Sequence, residues 1–163
     1  MTQMTAGFRV EFDQLNKILL MRVEGRLTDE SLPYLYEASR KHSSATDASV
    51  SIVDLSSVSD FAVSSLSIRN LAHRNMAGPG SKRRCFIVAP AGLAFGLCRM
   101  FQILGEATRP LLEVVHTLGE VFAAGILSSH FVETSVGPIL SALNKGGITT
   151  AEQAGAAVQA AVR

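Results

Sequence analysis

Apolar and polar positions alternate at the start of the chain. Phe8, Val10 and Phe12 interleave with Arg9, Glu11 and Asp13, the period of a strand with one wet face. After a turn at Gln14 to Asn16, Ile18 to Val23 forms a more continuous apolar run. The two segments read as an antiparallel hairpin opening a sheet. Gly25 breaks the pattern. Thr28, Asp29, Glu30 and Ser31 carry helix-start chemistry. Pro33 confines that start to between Asp29 and Ser31, since proline is tolerated only in a first turn, where its missing N–H has no partner to lose. Leu32, Leu35 and Tyr36 make the inner face, and His42 to Asp47 reads as a polar loop.

The stretch Val50 to Ala72 is central. Val50, Ile52 and Val53 are nearly continuous and β-branched, which suits a strand covered on both faces. Asp54 and Leu55 end the run, and Ser56, Ser57, Ser59 and Asp60 read as a polar turn. Phe61, Ala62 and Val63 return to the core. Ser64 or Ser65 then caps a helix, because a serine oxygen accepts from the free N–H groups of a first turn. Leu66, Ile68, Leu71 and Ala72 form that helix's apolar stripe, with Arg69, His73 and Arg74 toward water.

Met76 to Arg84 is a loop marked by Gly78, Pro79 and Gly80; it lacks the spacing of a phosphate-binding loop. Lys82, Arg83 and Arg84 read as its solvated rim. Cys85 to Ala89 is a buried strand ended by Pro90. Ala91 to Leu104 is a helix apolar nearly all round, with Leu93, Leu97, Met100, Phe101 and Leu104 on one face and Phe95 among the rest. Such a helix is buried or meets a partner. Packing within the chain is the first reading, and a homodimer interface through Phe95, Leu97, Met100 and Phe101 the second. Leu111 to His116 is the last strand. Thr117 and Glu120 have capping-box spacing before a helix that starts its apolar face with Val121 and Phe122 and ends near Leu127. Buried strands alternating with helices imply an α/β domain with a mostly parallel sheet. The domain is expected over residues 8–127. Residues 128–163 are expected as a tail of short helices, docked or partly disordered, in which Thr149 and Glu152 repeat the capping-box spacing before an alanine-rich run.

Composition removes several functions. At 47% hydrophobic and 18% charged residues, global disorder does not fit. A net charge of +1 and the absence of tryptophan argue against a nucleic-acid binder. Cys85 and Cys98 sit in apolar runs and read as reduced core thiols. The N-terminal segment lacks the pattern of a secretory signal and no run is long enough for a membrane span, so a cytoplasmic protein is expected. His42, His73, His116 and His130 are scattered, with no ligand-like or triad-like spacing. No metal, cofactor or catalytic residue is expected. Asp54, at the expected end of a strand, lies where open α/β sheets bind ligands, but reads more simply as a cap.

The element order, together with VDLSSVSDFAVSS, the later FIVAP strand and the helix after Thr117, resembles the STAS domain, in its free-standing bacterial SpoIIAA-like branch. The resemblance covers residues 8–127. It implies a regulatory protein of the anti-sigma-factor-antagonist kind, which binds a protein partner such as a regulatory kinase or an anti-sigma-like protein. In that family an Asp-Ser-Ser/Thr-Gly stretch at this turn holds a phosphorylatable serine. Here the matching positions are Val63, Ser64, Ser65 and Leu66. The serines match and the aspartate and glycine do not, which weighs against a phosphorylation switch and for a plain helix cap. Asp60, Phe61, Val63, Leu66 and Arg69 are the matching candidates for partner contact. The alternative is a binder of small apolar ligands or lipids, with the apolar Ala91–Leu104 helix lining a pocket. An enzyme is the least favoured class.

Overall fold

The computed structural model describes residues 6–74 and 83–126. The chain divides into two compact units, Met1–His116 and Thr117–Arg163. In the first unit, β1 (Gly7–Asp13) and β2 (Ile18–Thr28) form the expected antiparallel hairpin. Then follow α1 (Leu32–Ala45), β3 (Val50–Ala62), α2 (Ser65–Ala72), β4 (Arg84–Val88), α3 (Leu93–Leu104) and β5 (Leu112–Val115). The sheet order is β1-β2-β3-β4-β5, with every pair after the first parallel. Strands added in one direction through right-handed crossovers place α1, α2 and α3 on a single face of the sheet.

Register sorts the strand residues by face. Leu19, Ser51, Cys85 and Leu112 form one row, and Met21, Val53, Ile87 and Val114 the next. These rows lie under the helices, where Met21 and Cys98 share a cluster with Val53 and Ile87. The alternate positions, Leu20, Ile52, Phe86 and Val88, belong to the opposite face and are at most 1% exposed. In the second unit α4 (Leu118–Ala123) begins with a complete capping box: Thr117 Oγ1 accepts from the Glu120 N–H and the Glu120 carboxylate accepts from the Thr117 N–H.

Four expectations are corrected. Ser56 to Asp60 is not a turn: β3 runs unbroken to Ala62, paired with β2 from Glu24↔Ser57 to Thr28↔Ala62. β4 stops opposite Asp54, so this polar length is a two-stranded ribbon beyond the sheet, where strand side chains meet water. Gly25 does not end its strand either. With φ at +85° it makes a bulge that shifts the register before Arg26, and β2 continues to Thr28. Finally, α1 extends through His42 to Ala45. Its last carbonyls are served by the Arg83 guanidinium, which donates to Ser43 O and, at 3.3 Å, to Thr46 O. Arg83 is therefore a helix cap, not loop rim. Arg84 pairs with Glu113 at 3.3 Å and lies over the Phe86 ring. The expected tail, 128–163, and the loop glycines Gly78 and Gly80 fall outside the described residues.

Candidate functional site

The two ends of α2 hold the chemistry. At its start Ser64 is the N-cap: its Oγ accepts from the Ser67 N–H at 3.2 Å and its hydroxyl donates to Ser67 Oγ at 3.2 Å. The Ser64 N–H donates to Asp29 Oδ1 at 2.7 Å. These bonds hold the Asp29 carboxyl below its ordinary range; the backbone N–H of Ser64 is the main cause and its hydroxyl the next. The start of α1 falls within the expected Asp29–Ser31, at Ser31, and Asp29 is not its cap. Instead it braces a second helix 35 positions away. No aspartate adjoins Ser64 in the sequence; the carboxylate that meets its N–H comes from the loop after β2. Ser31 caps α1 without a side-chain cap bond, its hydroxyl closing the turn on Thr28.

Around this start Ser64, Ser65, Leu66 and Arg69 are exposed. Leu66 is 63% exposed, high for a leucine that the apolar stripe would have turned inward. Asp60 is exposed and pairs with Arg26 at 2.9 Å across the ribbon. Phe61 is half-buried and Val63 is buried, packed in the cluster of Leu27, Ile68 and Leu71. Of the candidates for partner contact, Asp60, Leu66 and Arg69 therefore present free surface.

The helix apolar all round has most of its apolar surface inside. Leu97, Phe101, Ala94 and Cys98 are buried, and Phe95 and Met100 half-buried; Leu93 and Ile103 keep more than half their surface. Phe95 stacks on His116 with ring centres 3.8 Å apart. His42 meets the Phe8 ring edge-on and His73 caps the end of α2. Asp54 lies within β3, buried, and accepts from the Ser56 N–H at 3.0 Å. Among the described residues no three His, Cys, Asp or Glu are grouped as a metal would need.

The residue that sequence reading missed is Arg109, at the other end of α2. It is 8% exposed. Its Nη1 donates to Ala72 O at 3.2 Å, and its Nη2 to Leu71 O and Arg74 O at 3.3 Å each, closing the helix's last carbonyls. Nη2 also donates to Tyr36 Oη at 3.4 Å, and the guanidinium lies 4.5 Å above the Phe101 ring. Among the described residues no carboxylate pairs with it. Its only signal in the sequence is a lone cation between Thr108 and Pro110 ahead of the Leu111–Leu112 run.

Arg109 borders a cavity of about 400 Å³ between α1 and the helix-covered face of the sheet. Val53, Cys85 and Ile87 line it and keep free surface there, although they sit on central strands. Burial pushes the Cys85 thiol up to about 12, against the opposing charge of Arg109, and the Cys98 thiol likewise to about 12. Both are protonated, unreactive thiols, as expected, and they form no disulfide.

No family model matches the chain, and no curated protein matches it. Its fold, however, is similar to a solved one. An anti-sigma factor antagonist from Mycobacterium paratuberculosis superposes with a TM-score of 0.50 over 73% of this chain and 92% of that one, at 22% identity. The chain is an α/β protein with the STAS fold, a mixed five-stranded sheet whose first pair is antiparallel. No helix among the described residues is long and apolar enough to cross a membrane.

Proposed function

We propose that the protein is a non-catalytic regulatory module, acting in the cytoplasm of a bacterium, that docks a protein partner through the start of α2. The observation that carries this reading is the exposed Leu66 and Arg69 beside a helix start fixed on both sides, by the Ser64 cap and by Asp29. A fixed, accessible helix start with an apolar anchor is a surface made to be touched, since little ordering remains to be done on binding. The solved neighbour is itself named an anti-sigma factor antagonist, and a partner of the anti-sigma or kinase type is the corresponding candidate. A second copy is the other.

Ser64 acts first as a cap. Were it phosphorylated, nearly two negative charges would arrive beside the Asp29 carboxylate that accepts its N–H. Repulsion would expel Asp29, while the helix N-terminus would favour the phosphate. Intact-mass measurement of protein from its native host, across growth conditions, tests this: an unmodified mass throughout removes the switch. For docking, the test is co-purification from native lysate with Leu66→Ala/Arg69→Ala beside Leu93→Ala/Ile103→Ala. Loss of one defined partner in the first variant alone supports the α2 edge; loss only in the second moves the surface to α3. A second reading, the binding of an apolar ligand, is favoured by the cavity bordered by Val53, Cys85 and Ile87.

A further inference from the structure

We infer that the space between α1 and the sheet is a site for a single-chain amphiphile with a carboxylate head, of the fatty-acid type. This deepens the apolar-ligand reading and stands independently of docking at Ser64. A cavity of about 400 Å³ is of the size that small-molecule sites have, roughly 300–1,000 Å³.

Its polarity is segregated by the topology. β3, β4 and β5 run parallel, so each preceding helix ends near the level where the next strand begins. Ser43 at the end of α1, Ser51 and Cys85 at strand starts, and Arg109 at the end of α2 therefore gather toward one end. Ser43 and Ser51 hydroxyls lie 3.3 Å apart there. Leu27, Leu32, Leu55 and Phe61 line the other end, toward the strand C-termini, and carry no polar side-chain atom.

Three arginines, Arg40, Arg83 and Arg109, border the cavity, and among the described residues no Asp or Glu lines it. Arg40 pairs with Glu37 at 3.8 Å and the charge of Arg83 is felt by Asp47, which leaves Arg109 as the cation with no acid beside it among the described residues. A guanidinium keeps its charge throughout the working range of pH, and Arg109 is 92% removed from solvent with its Nε buried and unpartnered. A buried cation with an idle donor and no counter-ion among the described residues is costly unless an anion arrives. The Nη groups of Arg83 and Arg109 are already donating to carbonyls. On the Arg109 guanidinium few donors remain, so a head seated against it takes few hydrogen bonds there: a carboxylate, not a phosphate.

The test is calorimetric titration of the delipidated full chain with dodecanoate, beside dodecyltrimethylammonium and dodecyl phosphate. Saturable one-to-one binding of dodecanoate is expected, at least tenfold tighter than either other head. Ile87→Phe, which fills the space and leaves Arg109 in place, should weaken it at least tenfold with an unchanged circular dichroism spectrum, and Arg109→Met should do so too. Because either variant could disturb the fold, Leu35→Trp supplies the chain's one tryptophan at the cavity wall, and its emission should shift to the blue as dodecanoate is added. Absence of saturable binding, equal affinity for the cationic or phosphate head, or Ile87→Phe binding as tightly as the parent chain would overturn the inference.

Discussion

The two ends of α2 are finished in opposite ways. Its start is exposed and closed by short local groups, the Ser64 hydroxyl and the Asp29 carboxylate. Its end is buried and closed by one long cation that reaches Leu71, Ala72 and Arg74 from 35 or more positions away. Both arrangements complement the helix dipole, an anion at the positive end and a cation at the negative end. They differ in what surrounds them. The start is in water, where its groups are cheap to release and available to a partner. The end is desolvated, where removing one member leaves several carbonyls without donors.

The largest effect therefore belongs to Arg109. Arg109→Met should destabilise the fold by about 2–4 kcal/mol in urea unfolding, the order expected for orphaning buried polar groups and losing the packing on Phe101. Gly105→Ala probes the same end without replacing the arginine. A Cβ there collides with Arg109 Nη1 and crowds Phe101 O at 3.1 Å. A cost of about 1–3 kcal/mol is expected, as for other overpacked sites. Since both changes act on one guanidinium, the double variant should fall well short of the sum; full additivity would show that Gly105 acts elsewhere.

Ser64→Ala should cost about 1 kcal/mol, the usual worth of an N-cap. The smallest effect is at Asp29. Its carboxyl lies below the ordinary value of 3.8 because it accepts from Ser64. A lowered acid favours the fold above the ordinary value, and that contribution is lost as pH falls through the lowered one. The Ser64 amide resonance should therefore titrate with a midpoint below 3.8 and should stop titrating in Asp29→Asn. A midpoint at or above the ordinary value would remove the brace. At the other end, Cys85 and Cys98 should alkylate at pH 8 far more slowly than a free thiol, since both are pushed up to about 12 and hold little thiolate.

The same contrast explains what could be read from the sequence. The start of α2 was legible because a cap acts over three residues: Ser64, Ser67 and the stripe of Ile68 and Leu71 lie together in the chain. So did the strand pattern and the STAS-like order. The end of α2 was not legible, because Arg109 serves carbonyls in a distant segment and carbonyls leave no trace in residue identity. The bond of Asp29 to Ser64 was illegible for a related reason: an aspartate after a strand signals a helix start, here α1 at Ser31, and nothing local says that it also braces another helix. Ser56 to Asp60 was mistaken for a turn because polarity was taken to mean chain reversal. There it reflects water on a ribbon that has outrun its neighbour strand.

One helix is held less firmly than the rest. Leu32 is the only buried residue of α1, while α2, two turns long, buries three. Its half-buried Leu35, Tyr36 and Ala38 pack on the core in its first half, while its far end is held by the Arg83 clasp on two carbonyls and by the Ser43–Ser51 contact. A segment with so few apolar anchors opens at a small fraction of the global unfolding energy. In hydrogen exchange, amides of Ser39 to Ala45 should lose protection well before those of Ile52 or Phe86. A ligand that enters beneath the end of α1 should therefore load at a rate set by backbone opening and not by the width of a channel.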